Sequence, residues 1–332
     1  MTEAGTRRWL LFALALCALG LSAVSLTIGP APLSTAQVVD VLLGGGDPIE
    51  RAIVVDLRLP RALLALLVGG VLGLGGAAMQ GYLRNPLAEP SVLGASNMAA
   101  LGAVIAFYFG LALIHPLLLP LMAVAGAIIA LAPLMLLARR AESPLGLILA
   151  GIAISTLAGA GISLALNLAP NPFAAMEIMT WLLGSLENRS FDHLWIALPC
   201  IAAGAVLLLW DGRALDALTL GEDGARSLGM RLDMVRLRLL LGVGIGVGGA
   251  VAVSGAIGFV GLVVPHIVRP FTDRSPGAVL LPSALAGAAL LCAADILVRL
   301  VPTANELRLG VVTAFVGVPV FLYHLMRERR LW

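Results

Sequence analysis

Runs of about twenty apolar residues recur along this chain from Leu10 to Met326, and they limit its fold more than any motif does. Each run is long enough to cross the hydrocarbon of a bilayer as a helix, which satisfies its own backbone polar groups. Only 12% of the residues are charged, about half the share of a soluble domain. The expected fold is therefore an all-α polytopic membrane protein.

Eight runs have clear limits. The first is Leu10–Ile28, too long and too poor in a small-residue cleavage site for a signal peptide. Spans two to six fall near Ala62–Leu83, Leu93–Leu113, Leu117–Leu137, Leu145–Leu168 and Leu194–Trp210. Residues 29–57, with Gly44-Gly45-Gly46-Asp47-Pro48, read as an outer loop. Residues 171–192 read as a short interfacial helix with Trp181 at headgroup level. Residues 211–238 form the longest charged connection, and spans near Val279–Val298 and Leu309–Met326 finish the chain. Between them lies Leu239–Phe271, too long for one comfortable span and short for two.

Arginine decides how that region crosses, because all 21 basic residues are arginine and none is lysine. If it crosses twice, there are ten spans. Fifteen arginines (7, 8, 84, 139, 140, 213, 226, 231, 236, 238, 269, 274, 327, 329 and 330) then share one side, against six on the other. A single crossing leaves twelve against nine. The positive-inside bias favours ten spans, with both termini in the cytoplasm. The chain reads as one transmembrane domain over residues 1–332, with pseudo-repeats of roughly 1–190 and 191–332. At an offset of 179, Val68, Gly69, Gly70, Gly76, Ala77, Leu83 and Pro86 match Val247, Gly248, Gly249, Gly255, Ala256, Leu262 and Pro265. Some of these matches arise from composition alone, and a five-span repeat would have to be inverted.

The most distinctive stretch is Arg58–Pro90. Pro60 suits a first helical turn, and Arg58 and Arg61 project from one face of it. Arg84, Pro86 and Pro90 stop the helix. Its glycines, with the series Gly242, Gly244, Gly246, Gly248 and Gly249 later on, fit close helix packing far better than a nucleotide fingerprint.

Several chemistries are excluded or disfavoured. Without lysine there is no standard Walker A loop. An intramembrane hydrolase built on Ser254 would want glycine at position 252, which is Ala252. His115, His193, His266 and His324 have no metal-ligand spacing, and Cys17, Cys200 and Cys292 stand alone in apolar surroundings. No catalytic residue, metal or cofactor is expected, and nothing points to nucleic acid. Asp295 is the one acid well inside a span, four residues before Arg299, so a pair along one helix face is the economical reading. Ion-coupled transport through Asp295 is the alternative.

Taken together, the motifs resemble the permease subunits of bacterial ABC importers for iron–siderophore complexes, cobalamin and haem (the FecCD-type family), over nearly the whole chain. They are Arg58-Leu-Pro-Arg61, Arg84-Asn-Pro-Leu-Ala-Glu-Pro90 with Leu93-Gly94, Trp181-x-x-Gly184-Ser185-Leu186, and Leu220-Gly-Glu-x-x-Ala-x-x-Leu228-Gly229. Gly255 to Leu262 with Pro265-His266 and Arg269 follow, then Ala294-Asp295, Arg299, Glu306-Leu307 and Gly310 to Phe321. Phe271 to Pro276 and Leu307-Arg308 depart from the family's usual pattern.

The resemblance implies a homodimer in the bacterial inner membrane, two partner ATPase subunits inside and a substrate-binding protein docking outside. It implies docking roles for Arg58, Arg61 and Arg299. It implies ATPase coupling through Leu220, Gly221, Glu222, Ala225, Leu228 and Gly229. The local pattern agrees: Glu222 suits a helix N-terminus and Gly229 a C-terminal stop. The implied solute is a metal chelate, iron–siderophore first and cobalamin or haem next. A lone secondary transporter is the competing reading. No physical role for His266 follows from the sequence.

Overall fold

The structure, a computed structural model, describes residues 3–138, 144–302 and 306–327. Arg139, Arg140, Arg329 and Arg330 of the arginine count lie outside the described residues. Ten apolar helices carry the fold: α1 (Glu3–Thr27), α2 (Leu59–Leu83), α3 (Ala95–Tyr108), α4 (Leu118–Ala138), α5 (Pro144–Asn167), α6 (Phe191–Trp210), α7 (Leu232–Ser254), α8 (Val260–Val268), α9 (Pro276–Leu300) and α10 (Leu309–Arg327). No strand occurs among the described residues.

Seven of the helices are long and apolar enough to cross a membrane unaided, while α3, α8 and α10 are shorter apolar helices. Burial sorts them into centre and periphery. The apolar windows of α2 and α7 are each 78% buried in protein, against 17% in α1 and 22% in α5. A helix that is apolar all round but mostly exposed needs lipid on its outer faces. α2 is the hub, packed against α1, α6, α7, α8 and α9.

Glycine makes this packing close, as expected. A methyl on Gly69 would overlap the Gly287 carbonyl of α9, one on Gly73 the Ser283 carbonyl, and one on Gly76 the Gly261 carbonyl of α8. The α7 series serves the same end: Gly246 lies against Gly204 of α6, and Gly244 and Gly248 against Leu131 and Ala127 of α4.

The ambiguous stretch Leu239–Phe271 divides into α7 and α8 around an irregular segment, 255–259. Gly255 has φ 69 and ψ −168, a conformation essentially restricted to glycine, and Phe259 is left-handed at φ 68. Non-helical backbone within a membrane protein is tolerated where protein supplies partners. Here Ser254 O accepts from Ser185 N at 2.7 Å, and Glu89 Oε1 accepts from Phe259 N at 2.9 Å. The matched segments at offset 179 fall on α2 and the turn after it, and on the end of α7, the irregular segment and α8. Their geometry diverges at Gly76, inside α2, and Gly255, which ends α7.

Long-range bonds gather alternate connections at opposite ends. The start of α2 and the α5–α6 and α9–α10 connections meet through Arg61, Glu306, Arg308 and Glu187. The α2–α3, α6–α7 and α8–α9 connections meet at the other end, where Pro86 O bonds His266 and Asp216 Oδ1 accepts from Gly277 N at 2.7 Å. An even number of crossings between these partners is what ten spans require.

Three expectations need correction. Residues 29–57 are not simply loop: Thr35–Leu42 is helical, and Pro48–Arg58 is helical and runs directly into α2. Asp47 starts that run as a capping-box residue with Glu50, and Pro48 sits in the first turn. The connection 211–238 ends early, because α7 begins at Leu232 and buries Arg236, whose Nε donates to Tyr82 Oη at 2.9 Å. Trp181, expected at the interface, is turned inward: it is 8% exposed and packs edge-on against Phe107.

Candidate functional site

Two groups of residues stand at opposite ends of α2. The first is an ion network around its N-terminus. Asp295 of α9 is fully buried, with Arg61 and Arg299 each 2.8 Å from its carboxylate. Arg61 also forks onto Glu306, through Nη1 at 3.1 Å and through Nη2. A bidentate guanidinium–carboxylate pair of this kind fixes orientation as well as charge. Arg299 donates to the carbonyls of Ser25 (2.9 Å) and Ile28 (2.6 Å), and to the Ser25 hydroxyl. Arg58 donates to the Leu26 carbonyl at 2.8 Å and to that of Ala31. The last carbonyls of a helix have no partner within it and carry partial negative charge. Arg58 from α2 and Arg299 from α9 supply those partners for α1.

These contacts draw all three arginines inward. Arg58 and Arg61 are 5% and 8% exposed, and the Arg299 side chain is 3% exposed. Their guanidinium groups line a cleft of about 200 Å³ together with Glu187 and Glu306. The expected Asp295–Arg299 pair is present, and Arg61, separated by 234 positions in sequence from Asp295, completes it.

The second group lies at the far end of α2. The helix Gly221–Ser227 carries Glu222 and Asp223 in its first turn and an Arg226–Glu222 ion pair at 3.5 Å. Met230 N bonds Ala225 O and Gly229 N bonds Arg226 O, with Gly229 at φ 80; this pattern closes the helix as a Schellman motif. Ala225 is fully buried, while Leu220 and Leu228 are 68% and 59% exposed at the two ends. Two large apolar side chains thus flank a short, firmly terminated helix on the surface.

A family described as FecCD transport matches residues 15–327 of this sequence. The chain belongs to the FecCD transport family. It is 40% identical over 293 residues to YvrB of Bacillus subtilis, an uncharacterised ABC transporter permease, covering 87% of this chain and 82% of that one. It is 40% identical over 281 residues to the vitamin B12 import permease BtuC of Salmonella typhi, covering 83% and 84%. Among solved structures, it superposes on an inward-facing metal-chelate-type ABC transporter with a TM-score of 0.86 and 30% identity, over 96% of this chain and 98% of that one. The Streptococcus pneumoniae PsaBC complex, at TM-score 0.51 and 17% identity, shares the fold alone.

Within this FecCD permease, several residues acquire physical roles the sequence did not supply. Glu89 accepts the Phe259 N–H at the start of α8, and Gln80 bridges the Leu262 carbonyl (3.2 Å) and Arg269 (2.9 Å). His266 has Nε2 2.9 Å from the Pro86 carbonyl, so that nitrogen donates and ties α8 to the turn after α2. Glu306 was legible only as part of a motif, and its pairing with Arg61 depends on the fold. No group of three or more His, Cys, Asp or Glu residues is placed to hold a metal among the described residues.

Proposed function

We propose that this FecCD permease is the membrane subunit of an ATP-driven importer that receives a metal chelate from a substrate-binding protein. The observation that carries the proposal is α2 itself. One end holds the arginine network, and the other packs against the segment bearing the 220–229 helix. The exposed Leu220 and Leu228, with Gly221, Glu222 and Gly229 between and beside them and the buried Ala225 seating the helix beneath, form the surface offered to an ATPase partner. The cleft over Arg58, Arg61 and Arg299 is where an acidic side chain of the binding protein would seat. Charges so arranged steer docking and fix its register, and the association rate should fall with added salt.

In this reading both termini face the cytoplasm of a bacterial inner membrane, and two copies enclose a solute path lined by α5 and α10. Iron–siderophore remains the first assignment from the family resemblance, with haem also within it. The vitamin B12 permeases among the relatives favour cobalamin as the second. A gradient-driven carrier would need an ionisable group free to load an ion, whereas Asp295 is clamped between two guanidinium groups. The deciding experiment is reconstitution of the chain with its ATPase and binding protein in proteoliposomes. Uptake should require hydrolysable ATP; accumulation of solute on a proton or sodium gradient alone would overturn the assignment.

A further inference from the structure

A second cleft, of about 590 Å³, opens beside the arginine network and shares Glu187 and Asn188 with it. Its volume is in the range of small-molecule sites. Two of its lining side chains bury N–H groups that meet no acceptor: the indole Nε1 of Trp181 and the guanidinium Nε of Arg189. Buried donors nearly always have partners, and leaving one unmatched costs about 1–3 kcal/mol. Two such donors on one cleft point to something that arrives from outside the chain.

The chemistry of that visitor follows from the donors. An indole N–H and a guanidinium have hydrogens to give and no lone pair to receive them, so the incoming atom must be an acceptor. Charge narrows it further. Arg308, on the same cleft, is neutralised by Glu187 at 3.0 Å, and Glu177 is exposed at the mouth, where solvent screens it. Arg189 makes no ion pair among the described residues. Burial, which outweighs the nearby Glu187 carboxylate, holds its guanidinium down to about 10. A negatively charged oxygen would supply an acceptor to these donors and a further counter-charge to the guanidinium.

The loop is built to hold this geometry. Ser185 N is fixed to Ser254 O at 2.7 Å, Glu187 N to Ser185 Oγ at 3.0 Å, and Asn188 turns the chain at φ 55.

We propose that Trp181 and Arg189 form a receiving subsite for a carboxylate-type anionic oxygen of the transported solute. The proposal rests on the importer reading in its choice of solute, and its place fits: the subsite adjoins the cleft assigned to binding-protein docking, so a released chelate would meet it first. A lipid phosphate offers the same chemistry, and the experiment separates the two.

The full chain, in nanodiscs of zwitterionic lipid, is titrated with citrate and with gallium(III) citrate, a diamagnetic chelate rich in carboxylates. The indole N–H resonance of Trp181, assigned by its loss in Trp181→Phe, should move on titration. Arg189→Gln should weaken the apparent affinity roughly tenfold to a hundredfold, as expected for a lost hydrogen bond to a charged group. Arg189→Lys should recover part of it. An indole resonance unmoved by millimolar citrate would overturn the proposal. So would a resonance moved by anionic phosphatidylglycerol in the nanodisc without citrate, since lipid would then be the occupant. ATP-driven uptake by the unmodified importer is scored separately, so the importer reading can survive the loss of this subsite.

Discussion

Replacing Asp295 by asparagine tests whether the arginine network holds the helix ends together. The carboxylate is fully buried and faces guanidinium groups of Arg61 and Arg299 at 2.8 Å each. Removing one partner from a buried ion pair costs about 3–5 kcal/mol, mostly because the surviving charge is left without compensation. Here both survivors keep other acceptors: Glu306 for Arg61, and the Ser25 and Ile28 carbonyls for Arg299. The loss should therefore lie near the lower limit, about 3 kcal/mol. Glu306→Gln is the internal control. Its side chain is 18% exposed and its charge is partly solvated, so about 1–2 kcal/mol is expected for the weakened hydrogen bonds. Reversible unfolding of the purified permease in mixed micelles, followed by circular dichroism, gives both values. A change below about 0.5 kcal/mol for Asp295→Asn, or Glu306→Gln proving the more damaging, would refute the reasoning.

Three further outcomes follow from the packing and the surface. Gly76→Ala places a methyl on the Gly261 backbone, so α2 and α8 must part; a loss of about 1–3 kcal/mol is expected in the same unfolding assay. Glu89→Ala leaves the Phe259 N–H without its acceptor and should lower stability by about 1–3 kcal/mol, with faster amide exchange at residues 259–261. Leu220→Ser combined with Leu228→Ser touches exposed side chains, so stability should hold within about 0.5 kcal/mol. Capture of the ATPase subunit by that double variant should drop at least tenfold in a pull-down.

Hydropathy carried the helix count because length and apolar composition report membrane crossing directly. The division of Leu239–Phe271 was also legible, since arginine distribution answered a question that hydropathy left open. Gly229 behaved as a helix stop because that property is local to the backbone. What failed was whatever depends on a distant partner. Nothing near Arg58, Arg61 and Arg299 in sequence shows the α1 carbonyls or Glu306 that take them inward. The burial of Trp181 is hidden for the same reason, since Phe107, far off in sequence, is the ring that covers it. The helix at Pro48 is different, since Asp47-Pro48 with Glu50 is a start signal local to the sequence, set directly after three glycines that signal a turn.

α2 runs 25 residues, about 37 Å, with its one proline confined to the first turn. Such a shaft has no joint along its length. It cannot absorb a push by folding in the middle, so a displacement at one membrane surface must be felt at the other. Smooth glycine-to-carbonyl seams on two flanks leave few side-chain teeth to arrest it. Mechanical traffic between the two faces of this protein therefore has a direct axle.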